Sequence, residues 1–145
     1  MFVGLESNKH MTDTLSVQQR SRVMAAIKNK GSIIEQRVAA ILKEYGVRYR
    51  KHSDKLPGKP DFYITRLSTV LFVDSCYWHG CLVHGSQPKS NRKFWKVKLE
   101  RNRARDKEMN NEYRRLGWRV IRIWEHELTS PISKRVIRAI AALSR

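Results

Sequence analysis

Residues Pro60 to His84 read P-D-F-Y-I-T-R-L-S-T-V-L-F-V-D-S-C-Y-W-H-G-C-L-V-H, and this stretch decides the fold. Two strand-like runs lie within it, Phe62-Tyr63-Ile64 and Thr69 to Val73, joined near Arg66. The second, T-V-L-F-V, is continuously apolar, which predicts a central strand covered on both faces. The same 25 residues hold two carboxylates (Asp61 and Asp74), both cysteines of the chain, two histidines and the adjacent pair Tyr77-Trp78. A sheet needs only the apolar positions. The acids, thiols and imidazoles crowded at its ends are the candidate chemistry.

Upstream, residues 1–15 lack apolar periodicity and read as a disordered arm, with Met11 an alternative start; residues 16–145 read as a single domain. Val23, Met24, Ala26 and Ile27 recur at helical spacing between Val17 and Lys30, which predicts a short basic helix ended by Gly31. Ser32 then stands as N-cap of a second helix through Tyr45, with the apolar stripe Ile33, Ile34, Val38, Ile41 and Leu42 and a stop at Gly46. Glu35 falls in the first turn of that helix, where the helix dipole favours a carboxylate. Val47 to Lys51 suits a short strand, and Leu56-Pro-Gly-Lys-Pro60 a turn.

Downstream, Asn91 to Leu116 carries a long helix pattern with Phe94, Val97, Leu99, Met109, Tyr113 and Leu116 on its apolar side. Gly117 closes it, W-R-V-I-R-I-W makes a further strand, and Ile132 to Leu143 forms a last amphipathic helix; Trp95, Trp118 and Trp124, on regular elements, are expected in the core. A helix crossover between strands predicts parallel neighbours within an otherwise mixed sheet. The expected class is therefore α/β, with helices on both faces of that sheet.

The chain carries 30 Lys+Arg against 13 Asp+Glu, a formal charge of +17, which implies a polyanionic partner or a strongly solvated surface. Nucleic acid fits best. A membrane does not, because no apolar run approaches the roughly 18 residues of a spanning helix. The N-terminus also lacks the apolar core of a signal peptide, which places the protein in the cytoplasm. Lys93, Lys96, Arg101 and Arg105 belong to a run so one-sided in charge that it repels itself unless phosphates lie against it.

Asp61 opens one strand and Asp74 closes the next, so a hairpin brings both to one end of the sheet. Converging carboxylates there suit Mg²⁺, which binds through one or two protein carboxylates and substrate phosphate. The pattern Pro-Asp, a spacer, then Asp-x-x is similar to the PD-(D/E)xK nucleases, but Cys76 stands where their lysine would be. His79 is the nearest group able to accept a proton from water near neutral pH. Cys76-x4-Cys81-x2-His84 supplies three ligands of the kind Zn²⁺ takes in closed four-ligand sites. His126 is the preferred fourth and His79 the alternative. Tyr77 and Trp78, in the loop between, either pack or insert between base pairs, with Met24 able to assist from the first helix.

Taken together, R-S-x-V-M-x-x-I, I-E-x-R-V, L-P-G-K-P-D-F, V-D-S-C-Y-W-H-G-C, F-W-x-x-K with N-x-x-R-D, and L-G-W-R-V-I-R-I-W-E resemble the very short patch repair (Vsr) DNA mismatch endonucleases over Ser16 to Leu128. The resemblance implies a restriction-endonuclease-like core with a structural zinc, and Mg²⁺-dependent nicking of one strand 5′ to the T of a T:G mismatch. It assigns Asp61 as catalytic metal-binding acid, His79 as catalytic histidine, Glu35 as supporting acid, and Tyr77, Trp78 and Met24 as intercalating residues. The zinc ligands map to Cys76, Cys81, His84 and His126. Some relatives carry Thr-His where this chain has Val73-Asp74, so Asp74 stands as a further catalytic and Mg²⁺-binding candidate, and Val73 can serve only through its carbonyl. The implied setting is a bacterial, nucleoid-associated monomer acting on double-stranded DNA, with mismatch-repair proteins as possible partners. A restriction-type nuclease cutting matched duplex, and a non-catalytic zinc-stabilised DNA-binding module, are the competing readings.

Overall fold

The computed structural model describes residues 16–84 and 90–145, without the side chains of residues 24 and 27–32. Its centre is the antiparallel hairpin of β2 (Phe62–Ile64) and β3 (Thr69–Asp74), in register Phe62 with Leu71 and Ile64 with Thr69. A two-residue strand β1 (Arg50–Lys51) extends the sheet beyond β2. On the other side β4 (Arg119–Trp124) runs parallel to β3, giving the order β1-β2-β3-β4. Parallel neighbours need a crossover. Here it is α2 (Arg92–Arg115), which lies between β3 and β4 in the chain. The helices α1 (Val17–Glu44) and α3 (Lys134–Leu143) complete the fold. Among the described residues no helix is long and apolar enough to cross a membrane.

α1 is one helix of 28 residues, where the sequence predicts two broken at Gly31. A glycine inside a helix costs only about 1 kcal/mol relative to alanine, which the turns on either side offset. The N-cap is accordingly Ser16 and not Ser32: the Ser16 hydroxyl accepts from Gln19 N–H at 3.2 Å, and the Gln19 amide oxygen accepts from Ser16 N–H at 2.8 Å. This reciprocal pair is a capping box, legible as S-x-x-Q. Gly46, at φ 68°, follows the helix end as expected.

Strand alternation sorts the core into two layers. Phe62, Ile64, Leu71, Ile121 and Ile123 face one way and pack with Ile34, Val38, Ile41 and Leu42 of α1 and Val136, Ile140 and Leu143 of α3. Val70 and Phe72 face the other way, against Tyr113 of α2, with Met109, Trp118 and Val120 around them. β3 is thus covered on both faces, as its unbroken apolar run predicts. The apolar stripes of the two long helices are only partly used. Ile33 is 49% exposed, and Phe94 and Val97 of α2 and Leu116 at its end also stand in solvent.

The turn feeding β2 is tied to α2. Gly58 takes φ 72°, and a Cβ there would lie 2.8 Å from Met109 Cγ. The fully buried Tyr113 donates its hydroxyl to the Pro57 carbonyl. Tyr113→Phe is expected to lower unfolding free energy by about 1 kcal/mol, read from the urea midpoint, because that carbonyl loses its partner.

Candidate functional site

Asp61 directly precedes β2, beside the far end of β3, and its Oδ2 accepts the Val73 N–H at 2.7 Å. Glu35 of α1 reaches the same carboxyl and hydrogen-bonds to it. Burial first, then Glu35 and the charge of Asp74, push Asp61 up to about 7 against the lowering effect of the Val73 N–H. Two carboxyl groups this close in a partly buried site repel each other once ionised, and a cation between them would relieve that cost. The donor set therefore fits a hard divalent cation, with the Asp61 carboxylate at hand to hold it.

Asp74 closes β3 on the face beneath α2, at the same end of the sheet as Asp61. Its carboxylate is 3% exposed and takes both oxygens to Arg122 Nη1, at 3.0 and 2.9 Å. His79, in the loop after β3, places Nε2 3.6 Å from Asp74 and Nδ1 2.8 Å from Asp106 of α2. Asp106 is held below the usual carboxylate range despite its burial, chiefly by the hydrogen bond from His79. An ionised carboxylate can only accept, so Nδ1 carries the proton. Burial alone would depress His79, but the Asp106 hydrogen bond and the charges of Asp74 and Asp106 outweigh it and raise the imidazole above its ordinary value. Burial raises Asp74 despite His79 and Arg122.

The structure thus brings Glu35 to Asp61 and His79 to Asp74, in two adjoining groups. The sequence reading missed Asp106 and Arg122. Arg122 had a signal: a cation at an inward position of a strand. Asp106 had a weaker one, its spacing of one helical turn from Asn110, which accepts from Arg122 Nε at 2.9 Å.

The loop after β3 also builds the Cys/His cluster. Cys81 N–H donates to the Cys76 carbonyl at 3.0 Å, folding the two thiols onto one side. His126, in the 3-10 turn just past β4, sets Nδ1 3.3 Å from Cys76 Sγ and 3.5 Å from Cys81 Sγ. Ligand atoms of Cys76, Cys81, His84 and His126 all lie within 4.8 Å of one another. A tetrahedral zinc with bonds of about 2.0–2.3 Å wants such spacings, and two thiols with two imidazoles are a donor set it takes. His126, and not His79, completes the group. Cys81→Ser is expected to drop the metal content of purified protein to well below one zinc per chain by elemental analysis and to lower its melting temperature; unchanged zinc content would refute the ligand set.

Tyr77 and Trp78 pack edge to face at 5.2 Å and meet Trp95 of α2 at 5.7 and 6.0 Å. Trp95 therefore belongs to this partly exposed aromatic group and not to the core, contrary to the sequence reading. Trp118 is partly buried against the α2-side core, and Trp124 lies edge-on to His79 at 6.5 Å. Lys98 Nζ sits 4.9 Å above Trp78 and 5.1 Å above Trp95. Asn102 donates to the Trp78 carbonyl at 2.9 Å and Arg103 to the Gly80 carbonyl at 2.7 Å, fixing the loop on α2. Lys93, Arg101 and Arg105 line a surface groove of about 700 Å³ beside these rings, and Lys96 is exposed on the same helix. The side chain of Met24 lies outside the described residues.

A family described as DNA mismatch endonuclease Vsr matches residues 12–84. The type II nicking enzyme V.XorIIP of Xanthomonas oryzae pv. oryzae is 40% identical over 121 residues, 82% of this chain and 88% of that protein. The type II nicking enzyme V.NaeI of Lentzea aerocolonigenes is 41% identical over 113 residues, 74% of this chain and 68% of that protein. The DNA mismatch endonuclease Vsr of Escherichia coli (strain K12) is 34% identical over 117 residues, 79% of this chain and 74% of that protein. A mixed sheet with acids and a clamped histidine at one end, in a chain this similar along most of its length, belongs to the Vsr family of DNA endonucleases.

Proposed function

We propose that this protein nicks one strand of duplex DNA 5′ to the T of a T:G mismatch, using Mg²⁺, on a restriction-endonuclease-like core stapled by Zn²⁺. The observation that carries the reading is the His79 ring held at Nδ1 by Asp106, at the sheet end where Asp61 and Glu35 meet. With Nδ1–H donated to Asp106, Nε2 is the nitrogen able to take a proton from water. The Asp106 carboxylate then stabilises the imidazolium that forms, as the orienting acid does wherever a histidine acts as base.

Asp61 and the Val73 carbonyl are the groups this reading assigns to Mg²⁺, whose role when bound is to stabilise charge on the scissile phosphate. Glu35 hydrogen-bonds Asp61 and orients it. Asp74 was expected as a metal ligand as well; the Arg122 contact on both its oxygens favours a role beside His79 instead. Lys93, Lys96, Arg101 and Arg105 meet the phosphates. Tyr77 and Trp78, with Met24, open the base stack at the mismatch. The Cys76, Cys81, His84 and His126 set would bind Zn²⁺ and hold the loop carrying both the aromatic pair and His79. One active site suffices to cut one strand, so a monomer acting on DNA in the bacterial cytoplasm is the economical state, with mismatch-repair proteins following the nick.

Purified protein with Mg²⁺ should nick a T:G duplex and leave the same duplex with C:G intact. Cutting of both would make it a restriction-type nuclease, and binding without cleavage a DNA-binding module. Asp61→Ala should reduce nicking by at least about a hundredfold while leaving mismatch binding in place; full activity in that variant would remove Asp61 from the mechanism.

A further inference from the structure

Arg122 is a charged residue where the alternation of β4 calls for a core side chain. Its neighbours on that face are Val120 and Trp124, its side chain is only 16% exposed, and its guanidinium lies 4.5 Å over the Phe72 ring. Every side of the guanidinium is engaged. Nη1 binds both oxygens of Asp74 at 3.0 and 2.9 Å, Nη2 lies 3.4 Å from Asp106 Oδ1, and Nε donates to Asn110 Oδ1 at 2.9 Å. The same two carboxylates meet the two nitrogens of His79. The four residues therefore close a ring: Arg122 to Asp74, Asp74 to His79, His79 to Asp106, and Asp106 back to Arg122.

We propose that Arg122 is a positioning residue for the nicking reaction, tying Asp74 and Asp106 to one planar cation so that together they fix the His79 ring. This rests on the reading of His79 as the group that handles the attacking water. The geometry requires an arginine: a lysine ammonium is a single point of charge, whereas the guanidinium plane serves two carboxylates and an amide at fixed angles. With Nη1 and Nε taken up by Asp74 and Asn110, Arg122 holds the ring, and the exposed Lys107 and Arg114, which border the same cleft of about 590 Å³, add to the phosphate contacts assigned to Lys93, Lys96, Arg101 and Arg105. Removing Arg122 would leave Asp74 buried without the guanidinium and Asp106 held by His79 alone, and the His79 ring would lose the tie that fixes its aim.

The test compares single-turnover nicking of a T:G duplex with its binding, using the zinc-loaded protein. Arg122→Met should slow nicking by about ten- to a hundredfold, the loss usual for a group acting through another, with duplex affinity within about twofold of the parent. Arg122→Lys should recover part of the rate. Combined with Asp106→Asn it should be no slower than the slower single variant, because both break the same ring. Full nicking by Arg122→Met, equal losses of rate and binding, or multiplicative losses in the double variant would overturn the proposal. Should Arg122→Met fail to fold by melting temperature and zinc content, Asn110→Leu takes its place, with about a threefold to tenfold loss expected and no loss overturning it. His79→Ala separates the two levels: inactivity there with a fully active Arg122→Met overturns this inference alone, and full activity of His79→Ala overturns the reading it rests on.

Discussion

Asp74 ends β3 in a position where a carboxylate has almost no access to water, and burying a lone anion there would cost several kcal/mol. The arrangement around it follows from that constraint. Arg122 lies on the adjacent parallel strand, two residues before the position paired with Asp74, so alternation aims both side chains at the same face. α2 covers that face and brings Asp106 and Asn110 down onto the guanidinium from above. His79 fills the remaining side, with one carboxylate at each ring nitrogen. Sheet register, crossover helix and loop thus converge on one buried charge.

The loop that delivers His79 has a second anchor. Cys76 and Cys81 bracket Tyr77, Trp78 and His79, and their thiols point to His126 past the end of β4. Burial raises the Cys76 thiol, with Cys81 adding to the effect against His126, a cost that a bound cation would offset. A metal there would lock the loop from below while Asn102 and Arg103 of α2 hold its backbone from above. Under the proposed function, a rigid mount suits a loop that would present flat rings to a base stack and an imidazole to a phosphate at once.

Much of this is legible in the sequence because it rests on periods. The unbroken apolar run Thr69 to Val73, a long helix and a further strand specify the hairpin, the crossover and the parallel pair. The short spacing Cys76, Cys81, His84 names most of the Cys/His cluster, and His126 follows once the strand before it is placed. The break expected at Gly31 does not occur, because one glycine is a small penalty beside the turns around it, and the true cap, Ser16 with Gln19, stands one helix earlier than the Ser32 expected for it. Trp95 was expected in the core because helix position says nothing about which neighbour covers a ring; Tyr77 and Trp78 do so from far back in the chain. Asp106 and Arg122 carried only faint signals for a related reason. Each looks like one more charge in a basic chain, and only the packing of α2 over β4 makes them partners.

The central claim is that His79 is held by carboxylates, stands apart from the Cys/His cluster, and keeps Nε2 available. Nitrogen-15 NMR of the ring in protein loaded with cadmium-113 in place of zinc reads this directly. The account predicts a proton on Nδ1, an Nε2 that responds to added Mg²⁺ and mismatched duplex, and no coupling between either nitrogen and cadmium. A cadmium coupling on His79, or a proton fixed on Nε2 with Nδ1 bare, would contradict it.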